Sequence, residues 1–181
     1  MTELETTSRA SGSDAAAAVE RHVRGAVEAL ARHDLEGLVA HWAEDGILDV
    51  VPIGVFRGRD EIEGLFREAL TAAPDLRASA GVVVADGARA AVEWRIGGTF
   101  TGAPFQGFDP TGREFELRGV DLVEVEDGAT VRATTHYDGA AFARQIGLLP
   151  AQDSGAEQAV KGAFNALTKL RKMIDERTSG A

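Results

Sequence analysis

Apolar and polar positions alternate along residues 115–127, FELRGVDLVEVED, and this pattern predicts one long, half-buried β-strand. One acid, Asp121, interrupts an otherwise apolar face that consists of Phe115, Leu117, Gly119, Val123 and Val125. Removing an unpaired carboxylate from water costs several kcal/mol, so an inward Asp must be neutral, hydrogen-bonded or beside a cavity. Asp121 is therefore the first candidate functional residue.

Helical periodicity dominates the chain before this strand. An Ala-rich helix is predicted over residues 14–33, with Asp14 as its N-cap, and Asp34 can cap a short second helix. Asp60 and Glu63 have the spacing of a capping box, which predicts the start of a third helix there. The sequence thus predicts three N-terminal helices.

Strand patterns follow the third helix. A short strand is already predicted at residues 47–51, and two longer ones are predicted at 77–85 and 88–96, joined by an Asp86-Gly87 turn. A last strand is predicted at residues 130–137. The sheet should therefore consist mainly of antiparallel neighbours, covered on one side by the helices.

The last predicted strand should bring hydroxyl groups beside Asp121. Its alternation places four side chains on one face, namely Val131, Ala133, Thr135 and Tyr137. Thr135 should then look inward near Asp121, whereas His136 should look outward.

Domain limits follow from composition. The lack of periodicity in residues 1–13 predicts a disordered leader. We expect one domain over residues 14–150, followed by a linker over residues 151–155. Residues 156–181 predict an amphipathic helix and tail. This last segment carries five basic and three acidic side chains, against 14 and 26 in the rest of the chain. We expect this locally basic helix to pack on its own domain or on a sister subunit.

Composition excludes several classes of protein. The chain has 181 residues, is 44% apolar and contains no Cys, so disulfides and thiolate chemistry are excluded. No apolar run approaches the roughly 20 residues that cross a bilayer, and no signal sequence is recognisable, so we expect no membrane insertion and a cytoplasmic location. A net charge of −10 argues against a nucleic-acid partner.

Several segments in order suggest a family. They are GRDEIEGLF, EWRIGGTFTG, PTGR, GVDLVEVEDG and YDGAAFARQIGLLP, within roughly residues 15–150. This series resembles the SnoaL-like polyketide cyclases of the nuclear transport factor 2-like superfamily. The resemblance implies an α+β cone, in which N-terminal helices pack on a strongly curved, mainly antiparallel sheet around a pocket. It also implies a lipophilic or polycyclic small-molecule ligand, a homodimer and no cofactor.

The pocket of such a cone would have aromatic walls. Four wall residues are expected from the core, namely Trp42, Phe66, Trp94 and Phe115. Two more, Phe105 and Phe108, are expected from the Gly-rich loop over the mouth of the pocket. Thr135 and Tyr137 would add hydroxyl groups. The histidines His22, His33 and His41 lie on predicted helices without metal-ligand spacing, so we expect no metal site.

The resemblance implies two different sets of catalytic residues, one from the cyclases and one from the ketosteroid isomerases. The carboxylate of the aldol-type cyclases falls at Thr135, whose hydroxyl is too weak a base for that step, and the acid that follows falls at Asp138, in a helix-capping position. The chain also resembles the ketosteroid isomerases. That likeness assigns the base to Asp49, within a one-residue gap, and a protonated donor to Asp121, whereas the third group of that site is replaced by Ala26.

Two classes of function remain open from the sequence. One is a cofactor-independent cyclase or isomerase in which Asp49 and Asp121 face one apolar cavity and have raised pKa values. The other is a non-catalytic protein of the same fold that holds a lipophilic ligand or a partner, with Asp121 paired to an arginine such as Arg95. An epoxide hydrolase ranks lower, because its last-strand acid would again be Thr135.

Overall fold

The computed structural model describes residues 3–179, with side chains described from residue 14 to residue 172. The helices are α1 (Glu3–Ala31), α2 (Leu35–Ala40), α3 (Gly58–Ala72), α4 (Gly139–Gln145) and α5 (Gly155–Ser179). The strands are β1 (Trp42–Val51), β2 (Gly54–Arg57), β3 (Arg77–Asp86), β4 (Arg89–Thr99), β5 (Glu114–Glu126) and β6 (Ala129–Tyr137). The α+β class expected from the sequence is confirmed.

The six strands form one sheet in the order β2-β1-β6-β5-β4-β3. Strands β1 and β6 pair in parallel, and the other neighbours pair antiparallel, so the sheet is mainly antiparallel, as predicted. The edge strands β2 and β3 do not pair with each other, so the sheet stays open. Helices α1 and α3 cover its inner face.

The inner face of the sheet forms the core with these helices. Val92, Val123 and Ala133 lie on neighbouring strands, and each is buried against Val23 of α1 or Ile62 of α3 in one cluster. Burying each of these aliphatic side chains contributes about 1.5–3 kcal/mol. The alternation read from residues 115–127 is confirmed, because all the predicted apolar positions of β5 face inward.

Two of the predicted helix caps are confirmed. Asp34 accepts a hydrogen bond from the Gly37 amide at 2.8 Å, at the start of α2. Asp138 accepts one from the Ala141 amide at 2.8 Å, at the start of α4. Both carboxylates satisfy an amide that the first helical turn leaves without a partner.

The capping box predicted for the third helix is wrong. Helix α3 begins two residues before Asp60, and Glu61 accepts the hydrogen bond from the Arg57 amide at 2.7 Å. Glu63 pairs instead with Arg67, one turn further along the helix. Gly58, the first residue of α3, has a positive φ of 73°, a conformation that glycine adopts readily, and the segment before Asp60 therefore reads as a turn.

Two further elements depart from the prediction. Strand β2 has four residues and pairs with β1, and a strand this short leaves little periodic pattern. Helix α1 begins at Glu3, so it includes most of the segment read as a leader, which contains no proline to stop a helix. Residues 1 and 2 lie outside the described residues.

A β-bulge shifts the inward face at the start of β6. Glu124 pairs with Arg132 and Val125 pairs with Thr130, so Val131 is an extra residue between two pairs. The predicted inward position of Val131 is therefore wrong, and Thr130 takes its place. Ala133 and the residues after it keep their predicted faces.

Helix α5 presents an apolar stripe to solvent. Val160, Phe164, Leu167 and Leu170 recur at helical spacing, and each is at least half exposed. Its first turn is tied to α4, because Arg144 lies 3.5 Å from Glu157. The side chain of Ile174, which continues the predicted stripe, lies outside the described residues. None of the helices in the described part of the chain is long and apolar enough to span a bilayer.

Candidate functional site

A cavity of about 210 Å³ lies between the helices and the inner face of the sheet. Most of its lining is aliphatic or aromatic and comes from α1, α3 and the four strands β1, β4, β5 and β6. Apart from tryptophan, the polar side chains that border it are Asp121, Thr130, Thr135 and Tyr137. Such a cavity favours a lipophilic molecule that carries a few polar groups.

The aromatic walls predicted from the sequence are largely assembled here. Seven of the eight predicted wall residues line the cavity, namely Trp42, Phe66, Trp94, Phe105, Phe115, Thr135 and Tyr137. Phe108 does not, and its side chain is 50% exposed. Phe105 and Phe108 form an isolated antiparallel bridge within the loop, and of the two only Phe105 lines the cavity.

Asp121 is the one carboxylate among the described side chains that borders the cavity. Its Oδ1 accepts a hydrogen bond of 2.7 Å from the Trp94 indole Nε1. Burial raises the pKa of Asp121, and hydrogen bonds from Trp94 and Thr135 offset part of that increase. Thr135 is its direct partner across the β5–β6 ladder. Asp121 thus has the environment of a group that exchanges protons more readily near neutral pH than an ordinary Asp does.

Gly119 sets the position of the Trp94 ring. The two residues are paired across β4 and β5, and a Cβ at position 119 would lie 2.1 Å from Trp94 Cζ2 and 2.6 Å from the His136 carbonyl oxygen. The indole therefore lies directly over the Gly119 backbone. From there its N–H reaches Asp121, two residues further along the same face of β5.

Asp49 does not face the cavity. The residues on either side of it in β1, Leu48 and Val50, line the cavity, so the alternation of the strand turns Asp49 to the outer face. Its partner on β6 is Thr134, which is also outward. The prediction that Asp49 and Asp121 face one cavity, with Asp49 as the base, is therefore wrong, because Asp49 lies on the other face of the sheet.

Arg95 is not the partner of Asp121 either. It follows Trp94 in β4, so it lies on the outer face of the sheet and is exposed. Neighbouring side chains of a strand face opposite sides of the sheet, so the inward Asp121 meets the Trp94 indole and not Arg95. His136 is outward and exposed, as predicted.

Tyr137 brings a hydroxyl group to the same part of the cavity. It is paired with Gly119 across β5 and β6, and its ring centroid lies 6.5 Å from that of Trp94. Burial raises the pKa of Tyr137, so the phenol stays protonated and is able to donate a hydrogen bond.

Phe142 and Thr130 line the cavity but were missed in the sequence. Phe142 of α4 packs edge-on against Phe105 and Phe115, at centroid distances of 6.5 Å and 5.3 Å. Its helix was predicted, yet nothing in the local pattern indicated which face would close the cavity. Thr130 was missed because of the bulge at Val131.

Glu68 holds the loop that carries Phe105 against α3. Its two carboxylate oxygens accept hydrogen bonds from the backbone and side-chain nitrogens of Gln106, at 2.6 Å and 2.7 Å. The loop is therefore fixed at the residue next to Phe105. Among the side chains described, those of residues 14–172, no group of three or more His, Asp or Glu residues is arranged to hold a metal ion.

Comparison with known proteins identifies the family. The model of the SnoaL-like polyketide cyclases matches residues 20–146, which is most of the chain. The chain belongs to this family. The match contains every residue that lines the cavity, from Val23 of α1 to Phe142 of α4. No curated protein matches the SnoaL-like chain by sequence.

Solved structures share the fold of this SnoaL-like chain. IdmH of Streptomyces antibioticus, a candidate polyketide cyclase, is 27% identical, covers 71% of this chain and 98% of its own, and has a TM-score of 0.62. AclR of Streptomyces galilaeus, a candidate hydroxylase, is 23% identical over 86% of this chain and 98% of its own, with a TM-score of 0.67. A Catenulispora acidiphila protein with a ketosteroid isomerase-like fold is 20% identical over 74% and 96%, with a TM-score of 0.60. These likenesses confirm the nuclear transport factor 2-like fold.

Proposed function

We propose that this SnoaL-like protein binds a lipophilic, polycyclic carbonyl compound in its cavity and acts on it as a cofactor-independent cyclase or isomerase. Asp121 moves the proton at the carbon next to the carbonyl group. The similarity to IdmH, a candidate polyketide cyclase, supports the class of compound. The observation that carries the proposal is one carboxylate, with a raised pKa and two neutral donors, in a mainly apolar cavity.

Asp121 also lies where it could replace the acid that the family usually has on the last strand. The resemblance assigns that acid to Thr135, and Asp121 is the direct cross-strand partner of Thr135. A carboxylate therefore enters the same part of the cavity from the neighbouring strand. Moving the acid by one strand keeps its access to a ligand, because paired side chains of an antiparallel ladder lie on the same face about 5 Å apart.

The reaction needs only groups that border the cavity. Ionised Asp121 takes a proton from the carbon beside the carbonyl, and the electron pair moves to the oxygen as an enolate. The Tyr137 hydroxyl donates a hydrogen bond to that oxygen. In an isomerisation, Asp121 returns the proton to another carbon of the conjugated system. In a cyclisation, the enolate carbon bonds to a second carbonyl carbon, and the new alkoxide takes the proton from Asp121.

Deuterium uptake tests this proton transfer without knowledge of the natural substrate. A tricyclic aromatic β-ketoester is incubated with the protein in D₂O, and incorporation at the activated carbon is followed by mass spectrometry. Asp121→Asn should reduce the catalysed rate at least about 100-fold, since general bases commonly contribute that much. Asp49→Asn is the matched control and should keep the wild-type rate. Equal rates for wild type and Asp121→Asn would reject the role of Asp121.

A non-catalytic ligand-binding protein is the second candidate. It is favoured by Thr135 in place of an acid and by Asp49 on the outer face, because both leave a single carboxylate in the cavity. In that case Asp121 only anchors a polar group of the ligand. A lipophilic compound would then copurify with wild type and be identified by mass spectrometry, while the β-ketoester would exchange at the solution rate.

The outer face of the sheet is proposed as the surface of a homodimer. It exposes apolar side chains from several strands in a row, including Val84, Leu122 and Val55, which are 65%, 52% and 47% exposed. Thr134 and Asp49 lie between Leu122 and Val55 in this row. Large exposed apolar side chains on one face of a sheet, bordered by polar ones, are typical of a protein–protein interface. A second copy of the same face would cover them by two-fold symmetry.

A further inference from the structure

We propose that Thr130, backed by His22, forms a second polar subsite at the buried end of the cavity, which binds a neutral hydroxyl or carbonyl oxygen of the ligand. The inference rests on the proposed function, since it assumes a lipophilic ligand with another oxygen near Asp121. It adds a determinant of specificity at the end of the cavity opposite the carboxylate.

Thr130 is unusual among the side chains that the structure describes. Apart from tryptophan, it is the only polar one that is fully buried there, with 4% of its surface exposed. It lines the cavity beside Val23 of α1 and Trp42 of β1, which are buried as well. A buried hydroxyl requires hydrogen-bond partners, because leaving one unsatisfied costs about 1–3 kcal/mol.

The Thr130 hydroxyl has one hydrogen-bond partner in the structure and can bind another. The His22 Nε2 lies 2.9 Å from Thr130 Oγ1. A hydroxyl group has one donor and two acceptor positions, so a single contact with an imidazole leaves at least one of them free. Because Thr130 borders the cavity, a ligand oxygen is the natural second partner.

The histidines behind Thr130 favour a neutral group. The ring of His22 is 5.0 Å from that of His41, whose Nδ1 lies 2.8 Å from the Gly37 carbonyl oxygen. Burial, together with the neighbouring His41, lowers the pKa of His22, which favours the uncharged form of the imidazole that contacts Thr130. The cavity lining at this end contains no charged side chain, and a carboxylate or phosphate would be desolvated there without compensation.

The two polar positions are far apart. Asp121 is paired with Thr135 and Val125 with Thr130, so the two positions are four residues apart along β5, which is roughly 13 Å along a strand. The inward residues between them on the two strands, Ala133 and Val123, are apolar. The geometry therefore fits an elongated polycyclic molecule that carries an oxygen at each end and none between.

A matched pair of steroids tests the subsite. Estrone carries a ketone at one end and a hydroxyl at the other, and 3-deoxyestrone lacks that hydroxyl. Wild type should bind estrone about tenfold more tightly than 3-deoxyestrone, the effect of one well-placed hydrogen bond. Thr130→Val should bind both compounds with Kd values within about twofold, and Thr130→Ser should restore the preference.

The ratio of the two Kd values separates the subsite from a structural role. If Thr130 only holds α1 to the sheet, Thr130→Val lowers the Tm but keeps the wild-type ratio, and the subsite is rejected. Equal binding of the two steroids by wild type also rejects the subsite, while the lipophilic ligand of the proposed function stands. Failure of wild type to bind either steroid would count against both, and the deuterium exchange at Asp121 would remain an independent measurement.

Discussion

Asp121 and Asp49 lie on the two faces of one sheet and have different surroundings. Asp121 borders the apolar cavity, where burial raises its pKa and the Trp94 indole donates to it. Asp49 lies on the outer face between Thr134 and Val55, with access to solvent. The same side chain is therefore a candidate proton carrier on one face and an ordinary surface carboxylate on the other. The face of the strand, and not the residue type, decides which chemistry is available.

The largest expected effect comes from removing the space that Trp94 occupies on the inner face. Gly119→Ala places a methyl group 2.1 Å from the indole, so the ring must leave its position and the bond to Asp121 breaks. We expect a loss of about 3 kcal/mol in the free energy of unfolding, the upper part of the usual range for overpacking. Urea unfolding followed by tryptophan fluorescence measures both the loss and the displaced ring.

Gly64→Ala is the control for this substitution. Gly64 lies in α3, and a Cβ there would meet no atom within 4 Å, so the variant should be as stable as wild type or up to about 1 kcal/mol more stable. If Gly119→Ala were equally stable and kept the wild-type fluorescence, the close packing of Trp94 on β5 would not be what holds Asp121.

The sequence correctly predicted which side chains of β5 face inward, but it did not predict the outward position of Asp49 in β1. The alternation of β5 is unbroken over its full length, so the place of Asp121 followed from its neighbours alone. Asp49 was assigned through a likeness that allowed a gap of one residue. Side chains in a strand have a period of two, so an error of one residue moves a side chain to the opposite face.

Two other features of the site depend on contacts that a single sequence does not contain. The bulge that turns Thr130 inward arises from the pairing of β5 with β6 and leaves no mark in the spacing of apolar residues. The hydrogen bond from Trp94 to Asp121 joins strands whose register is set by the whole ladder. Periodicity predicted which elements exist, whereas the partners of each polar group required the register.

A second prediction concerns the apolar part of the outer face. Leu122→Glu places a charge in the proposed dimer surface, so the dimer Kd should rise at least about 100-fold, while the stability of the monomer changes by less than about 0.5 kcal/mol. Sedimentation velocity over a range of concentrations measures the assembly state. Phe108→Glu is the control, because Phe108 is similarly exposed, at 50%, but lies in a loop away from the sheet. A Leu122→Glu variant that sediments like wild type would move the interface elsewhere.

The smallest effect is the pH dependence of stability that Asp121 imposes. Because the pKa of Asp121 is raised in the folded protein, the folded state keeps its proton at pH values where the unfolded chain has lost it. Ionising Asp121 therefore destabilises the folded protein. This destabilisation is absent below pH 3.8, the ordinary pKa of Asp, and grows until the pH exceeds the raised pKa of Asp121.

Asp121→Asn keeps an acceptor for the Trp94 indole but removes the charge. Its free energy of unfolding relative to wild type should increase as the pH rises above 3.8 and level off once the pH exceeds the raised pKa. Urea unfolding at a series of pH values measures this difference. A difference between Asp121→Asn and wild type that stays constant with pH would mean that burial does not raise the pKa of Asp121.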